Sequence, residues 1–316
     1  MKKKEVSTRT VAPIDKLILK NVYKSFARTE AVHDISFTVT GGEVFGLLGP
    51  NGSGKTTLIR MIMNILRPDS GSILLNGEER DTRHSDMFGY LPEERGLYPK
   101  AHVLDMLIYL GTLNHMARRS AEVEAIRFLD RLGMIDQADS PINKLSKGMQ
   151  QKIQFAATFL HNPGILILDE PFYGLDPINQ IVLKDILKEY KAQNKVIIIS
   201  THHMHFAEKI CDHICFVNQG EVILDGQLAE IKKEWQGKSF FIDAPNIRSY
   251  LNTIKNARII EESSDGCRFE LSNPDKDIGR LITTISQSVQ INRFETIQPS
   301  LNDIFIQLIQ AQEVRK

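Results

Sequence analysis

The chain has 316 residues, 42% hydrophobic and 25% charged, an ordinary globular composition whose length suggests about two domains. Its 39 basic residues balance 39 acidic ones, so no net field collects nucleic acid or an anionic membrane, and no nucleic-acid partner is expected. No uncharged apolar stretch approaches the roughly 18–20 residues needed to cross a bilayer, Lys2-Lys3-Lys4 precedes no apolar signal core, and Cys211, Cys215 and Cys267 fit a reducing compartment; the chain alone is expected to be neither a channel nor secreted.

Residues 1–15 carry no hydrophobic period and are expected to form a disordered tail. From Leu17 to about Val44, short runs such as Leu17-Ile18-Leu19 and Ile35–Val39 alternate apolar with polar residues, the pattern of half-buried antiparallel strands. Three nearly continuous apolar runs follow: Glu43–Leu48 stopping at Gly49, Ile165–Leu168 stopping at Asp169, and Val196–Ile199 stopping at Ser200. Such runs belong inside a parallel sheet covered on both faces. Between the first two lies a mostly helical stretch, about 99–160, with apolar series Leu104, Leu107, Ile108 and Ile126, Leu129, Leu132. The spacing therefore predicts an α/β core with a helical insertion. Composition shifts near Trp235-Gln236-Gly237, and from there the chain reads strand 239–242, helix 247–254, strands 258–262 and 267–271 around Ser264-Asp265-Gly266, helix 277–286, strand 289–297 and helix 300–310. That order, β-α-β-β-α-β, predicts a small separate α+β domain over 236–316.

Gly49-Pro50-Asn51-Gly52-Ser53-Gly54-Lys55-Thr56 fits G-x-x-x-x-G-K-[ST], directly after a buried strand and before a helix that opens at Thr57. The glycines let the backbone curl until successive N–H groups point inward at phosphate oxygens, and the helix start adds partial positive charge. In such a loop Lys55 bridges the β- and γ-phosphates of ATP and the Thr56 hydroxyl ligates Mg²⁺. The second apolar strand delivers Asp169 and Glu170 to the same sheet edge. Asp169 is the candidate to hold Mg²⁺ through its water shell, and Glu170, turned the other way, to accept a proton from an attacking water. The third strand ends in Ser200-Thr201-His202, which brings an imidazole to this edge, whereas His203 and His205 read as surface residues. Cys211, His213 and Cys215 fall on a helix end and a following strand, so no zinc site is expected there.

Over about 17–235 the sequence resembles the nucleotide-binding subunit of ATP-binding-cassette (ABC) transporters. The most specific element is Leu145-Ser146-Lys147-Gly148-Met149-Gln150-Gln151-Lys152, which is similar to the LSGGQ signature loop and precedes Glu170 at the family's spacing. Ser146 is also a good N-cap for a helix running to Leu160, with Met149, Ile153, Ala156 and Leu160 on one face. The resemblance implies a P-loop ABC ATPase fold over 16–235, in which a parallel sheet is joined by an antiparallel β subdomain and a helical subdomain at about 95–160. It implies that Ser146 and Gly148 meet the γ-phosphate held by a second cassette, so that two chains sandwich two ATP molecules head to tail, as a homodimer or with a paralogous cassette. Phe26 matches the aromatic that stacks on adenine, Gly174-Leu175-Asp176 the loop that crosses the dimer interface, and His202 the switch histidine at the γ-phosphate. Lys147, Met149 and Tyr173 depart from the usual Gly, Gln and Ser.

In Tyr90-Leu91-Pro92-Glu93-Glu94-Arg95, Glu93 stands where most of the family has Gln. Its oxygen still suits Mg²⁺. Like charges about 4 Å apart repel by about 4 kcal/mol at an effective dielectric of about 20, so Glu93 is expected to need the metal or Arg95 beside it. YLPEERGLY, LSKGMQQK and Pro299–Phe305 resemble the NatA-like and multidrug exporter branch, whose members carry a C-terminal accessory domain. The implied function is ATP hydrolysis that drives export through a separate transmembrane permease, with this chain peripheral on the cytoplasmic face of the membrane. The alternative is a soluble ABC-type ATP switch acting on a non-membrane partner.

Overall fold

Val44–Leu48 (β3), Ile165–Asp169 (β7) and Val196–Thr201 (β8) show no polar alternation because both faces are covered, and every residue of the three is buried. The structure, a computed structural model, describes residues 14–27, 29–94, 96–235, 239–252, 254, 257–263, 266–271 and 274–313. Arg95, the Ser264-Asp265 turn, Gln236-Gly237 and all of the expected tail except Ile14 and Asp15 therefore lie outside the described residues. Ile14 is buried in the main core and the Asp15 amide donates to the Asn76 side chain, so these two residues are held.

The chain divides into two compact units, 1–226 and 227–316. The first begins with β1 (Lys16–Phe26) and β2 (Thr29–Thr40), paired antiparallel. Beyond β3 come α1 (Lys55–Ile62), β4 (Ser70–Leu75), β5 (Glu78–Glu79), β6 (Phe88–Leu91), α2 (Val103–Leu113), α3 (Arg118–Arg131), α4 (Lys147–Phe159), β7, α5 (Pro177–Ala192), β8, α6 (Met204–Ile210), β9 (His213–Asn218) and β10 (Glu221–Gln227). One sheet runs β2-β1-β4-β5; the other runs β10-β9-β3-β8-β7-β6, parallel through β9, β3, β8, β7 and β6. Phe37 of β2 stacks on Phe45 of β3 at 5.1 Å, joining the two sheets in one core that also takes Leu58, Ile59 and Ile62 of α1. Burying each such side chain stabilises by about 1.5–3 kcal/mol, which fixes α1 over the central sheet and the loop before it at the sheet's edge.

The α2–α4 helices pack on one another as the insertion. Ile126, read from its spacing as part of the buried face of α3, is 42% exposed; Ala121, Ala125, Phe128 and Leu129 face inward instead. The reason is a close approach: a methyl group at Gly111 of α2 would meet Ala121 at 2.8 Å. Small residues make that contact, and a search for large apolar side chains passes over them.

The second unit comprises α7 (Leu228–Glu234), β11 (Ser239–Asp243), α8 (Ile247–Leu251), β12 (Ala257–Ser263), β13 (Gly266–Leu271), α9 (Pro274–Ser288), β14 (Arg293–Ile297) and α10 (Leu301–Glu313). Its sheet runs β12-β13-β11-β14 with antiparallel neighbours, the split βαβ arrangement. The helix expected to reach Ile254 ends at Leu251, and the strand expected from Val289 begins at Arg293. The Val289 amide still donates to Ile285, extending the turn of α9, while Ile254, Val289 and Ile291 fill the unit's core from irregular backbone. These half-buried side chains pack against the core rather than pair in a strand.

Candidate functional site

The strand-to-helix turn after β3 carries positive φ at Gly49 (151°), Gly52 (79°) and Gly54 (109°). A Cβ at Gly49 would lie 2.1 Å from the Val217 carbonyl oxygen, and one at Gly54 would lie 2.5 Å from that of Ala31, so neither position admits a side chain. Gly54 is also the N-cap of α1 and has no side chain to cap it, which leaves the first N–H groups of the helix without an intrahelical partner. Lys55 is buried, and its Nζ donates to the carbonyls of Gly49 at 2.7 Å and Pro50 at 2.9 Å. Burial lowers the ammonium from its ordinary value, and the charges of Glu170, Asp169 and Glu93 oppose that shift.

The cavity over this loop, about 250 Å³, is lined by Ala31, Asn51, Gly52, Gly54, Lys55, Thr56, Thr57, Glu93, Asp169 and Glu170. The structure thus gathers most of the residues singled out from the sequence. Gly49, Pro50 and Ser53 are not among the lining residues; the Ser53 hydroxyl is buried with no hydrogen-bond partner among the described residues. Phe26 stands apart from the cavity lining at the end of β1, 46% exposed, with the Lys24 ammonium 5.7 Å from its ring centre. The Asp169 carboxyl is pushed above the usual carboxylate range by burial and then by Glu93 and Glu170, with Lys55 opposing.

Register explains how Glu170 is held. β7 pairs with β8 so that Asp169 faces Ser200, and the Glu170 amide donates to the Ser200 carbonyl at 2.9 Å. Glu170 takes a left-handed conformation (φ 49°), an uncommon one for a residue with a side chain. Its carboxylate accepts from the Thr201 hydroxyl at 2.7 Å and the His202 amide at 2.9 Å, and its Oε1 lies 2.5 Å from His202 Nδ1. Glu170 and the imidazole, inferred from two separate strand ends, are one hydrogen-bonded group. His203, read as a surface residue, is half-buried, its ring 3.9 Å from that of His202 and nearly parallel to Tyr173 at 6.4 Å. A doublet of histidines directly after a buried strand was the available signal.

Ser146 is the N-cap of α4, its hydroxyl accepting from the Met149 amide at 3.3 Å. Neither Ser146 nor Gly148 lines the phosphate cavity. A second cavity of about 480 Å³ separates Lys147 and Gln151 of α4 from Glu93, Asp169, Glu170 and Tyr173. Two glutamines missed by sequence reasoning fix the signature segment: Gln150 donates to the carbonyls of Ile142 and Leu145, both at 3.1 Å, and Gln151 donates to that of Tyr173 at 2.8 Å. Asp176 caps α5 through the Asn179 amide.

The ABC transporter family pattern matches residues 32–173, and the pattern described as the C-terminal domain of DrrA1-3-like ATP-binding proteins matches 226–309. The chain is 38% identical over 296 residues to the uncharacterized ABC transporter ATP-binding protein YhaQ of Bacillus subtilis (strain 168), covering 93% of this chain and 99% of that one. It is 36% identical over 219 residues to the Nod factor export ATP-binding protein I of Burkholderia lata, covering 68% of this chain and 71% of that one. Among solved structures it resembles an ATP-binding subunit of an ABC transporter at a TM-score of 0.64 and 30% identity, over 69% of this chain and 92% of that one. It also shares the fold of a dimeric ATP-binding cassette solved with ADP and Pi, at a TM-score of 0.61 and 23% identity, over 67% of this chain and 98% of that one. The chain belongs to the ABC transporter ATP-binding proteins. It is an ABC ATPase, and ATP is its nucleotide. Among the described residues no helix is long and apolar enough to cross a membrane.

Proposed function

We propose that this chain powers export through a separate membrane permease, on whose cytoplasmic side it docks, and that ATP is hydrolysed between two cassettes arranged head to tail. The observation that carries the reading is the convergence on one cavity of the phosphate loop, Asp169 and a Glu170 carboxylate held by Thr201 and His202. Similarity to the Nod factor export proteins supports the direction of transport.

The Thr56 hydroxyl, the exposed Glu93 and the buried Asp169 place three oxygen donors around one cavity in which Lys55 is the only cationic side chain among the described lining residues. That donor set fits Mg²⁺. When bound there, Mg²⁺ would draw negative charge from the phosphate oxygens. The chain's own groups do the remaining work. Phosphate-loop amides cradle the β-phosphate, and Lys55 leaves the carbonyls of Gly49 and Pro50 for the β- and γ-phosphate oxygens. Glu170 takes the proton of a water whose oxygen attacks the γ-phosphorus, while the bond from that phosphorus to the leaving β-phosphate oxygen breaks and its electron pair goes to ADP. Thr201 and the His202 amide keep the carboxylate aimed, and the His202 ring stands at the edge where the γ-phosphate arrives. Phe26 offers an exposed face to adenine.

Ser146 and Gly148 do not line their own phosphate cavity, which suits contact with the γ-phosphate of a second cassette. Replacing Glu170 by Gln tests the assignment: steady-state hydrolysis should fall by about 10²–10⁴-fold, the usual contribution of a positioned base, with ATP binding retained. Hydrolysis at the parent rate would remove Glu170 from the role of base.

A further inference from the structure

Glu170, His202 and His203 bring a carboxylate oxygen and two imidazole nitrogens within 4.8 Å of one another, the one such group of three among the described residues. We propose that this trio binds a borderline divalent cation of the Zn²⁺, Co²⁺ and Ni²⁺ class, and that its occupation silences hydrolysis. Two nitrogens and one carboxylate oxygen are a donor set that zinc takes with a fourth position left to water. Mg²⁺ prefers oxygen alone, so the two cations sort to different sides of the acidic edge: Mg²⁺ to Thr56, Glu93 and Asp169, the softer ion to this trio.

The surroundings favour capture. The Glu170 side chain is 7% exposed and that of His202 is 35% exposed, so an ion arriving from solvent meets the imidazole first and a largely dehydrated carboxylate behind it. The second Glu170 oxygen is held by the Thr201 hydroxyl, the kind of outer partner that orients a metal-bound carboxylate. The His203 ring lies beside Tyr173 on one side and edge-on to Phe206 at 6.1 Å on another. Binding requires only that His202 Nδ1 and Glu170 Oε1 part around the ion and that His203 turn inward. The loss of hydrolysis rests on the reading of Glu170 as base: an ion on its oxygen occupies the lone pair that receives the water proton and pins His202 beside it.

The test begins with full-length, nucleotide-free protein titrated with Co²⁺ and followed by its visible absorption, then with Zn²⁺ in competition with a chromogenic chelator. One equivalent should bind, at least about tenfold more weakly after His203→Ala, since losing even an outer-shell partner costs that much. His205→Ala, at an exposed neighbour, should bind as the parent does. In buffered Mg²⁺ and ATP both variants should keep the parent turnover, and free Zn²⁺ should suppress the parent and His205→Ala but not His203→Ala. No bound equivalent, or equal affinity in parent and His203→Ala, overturns the site. An equivalent that requires Glu170, His202 and His203 yet leaves turnover untouched upholds the site and counts against Glu170 as base.

Discussion

The first unit contains two helix starts that the proposed function assigns to phosphate, and they are built in opposite ways. At α1 the N-cap is Gly54 with φ 109°, no side chain competes for the amides, and the loop before it is closed over a cavity shared with Lys55, Asp169 and Glu170. At α4 the N-cap is Ser146, which satisfies the Met149 amide with its own hydroxyl, while Lys147 and Gly148 stand outside the phosphate cavity. The first start is complete in itself; the second is capped by its own side chain, and in the proposed pair its ligand would be held by the other cassette. That asymmetry suits the proposed head-to-tail pair of cassettes.

Damage to the glycine-built start should therefore destroy binding, and damage to the serine-capped start should spare it. The largest effect is expected for Lys55→Ala, which removes the cation from the phosphate cavity. Turnover should fall by about 10²–10³-fold, with ATP affinity of the isolated chain reduced in an equilibrium titration. Gly49→Ala comes next: its methyl would press on the Val217 carbonyl, so chemical denaturation should report a loss of about 2–4 kcal/mol.

Asp169→Asn separates function from stability. Burial and its acidic neighbours hold Asp169 above the ordinary carboxylate range, so the empty protein binds that proton more tightly than the unfolded chain does. The resulting stability is complete below the ordinary carboxylate value and is lost as pH rises through the shifted one. At neutral pH the variant should therefore melt about 2–4 °C higher in the absence of nucleotide, corresponding to about 1 kcal/mol, lack the parent's decline across that window, and hydrolyse ATP poorly. Ser146→Ala should cost about 1 kcal/mol for a lost cap, with the ATP affinity of the single chain unchanged and turnover lowered. Weaker ATP binding by a monomeric Ser146→Ala chain would erase the contrast between the two starts.

Much of this was legible in the sequence because its signals are local. Continuous apolar runs marked β3, β7 and β8, and the glycine spacing marked the phosphate loop. Two strands of the central sheet gave no comparable signal: β6 is four residues long, and β10, with Glu221 and Asp225, is half-exposed. The inward face of α3 was misread because Gly111 and Ala121 set it. Contacts that depend on register were also hidden. That Thr201 and His202 would both meet the Glu170 carboxylate follows from Asp169 pairing with Ser200, and a shift of one residue along β8 would have dispersed them. The anchoring by Gln150 and Gln151 joins residues whose proximity only the fold creates.

The most direct test of the two-cassette account is the mass of Glu170→Gln protein in solution with and without ATP, measured by light scattering on a size-exclusion column. The account predicts a monomer without nucleotide and a dimer with ATP that dissociates when Ser146→Ala is added to the same chain. A variant that binds ATP fully and remains a monomer, alone and beside its permease, would contradict it.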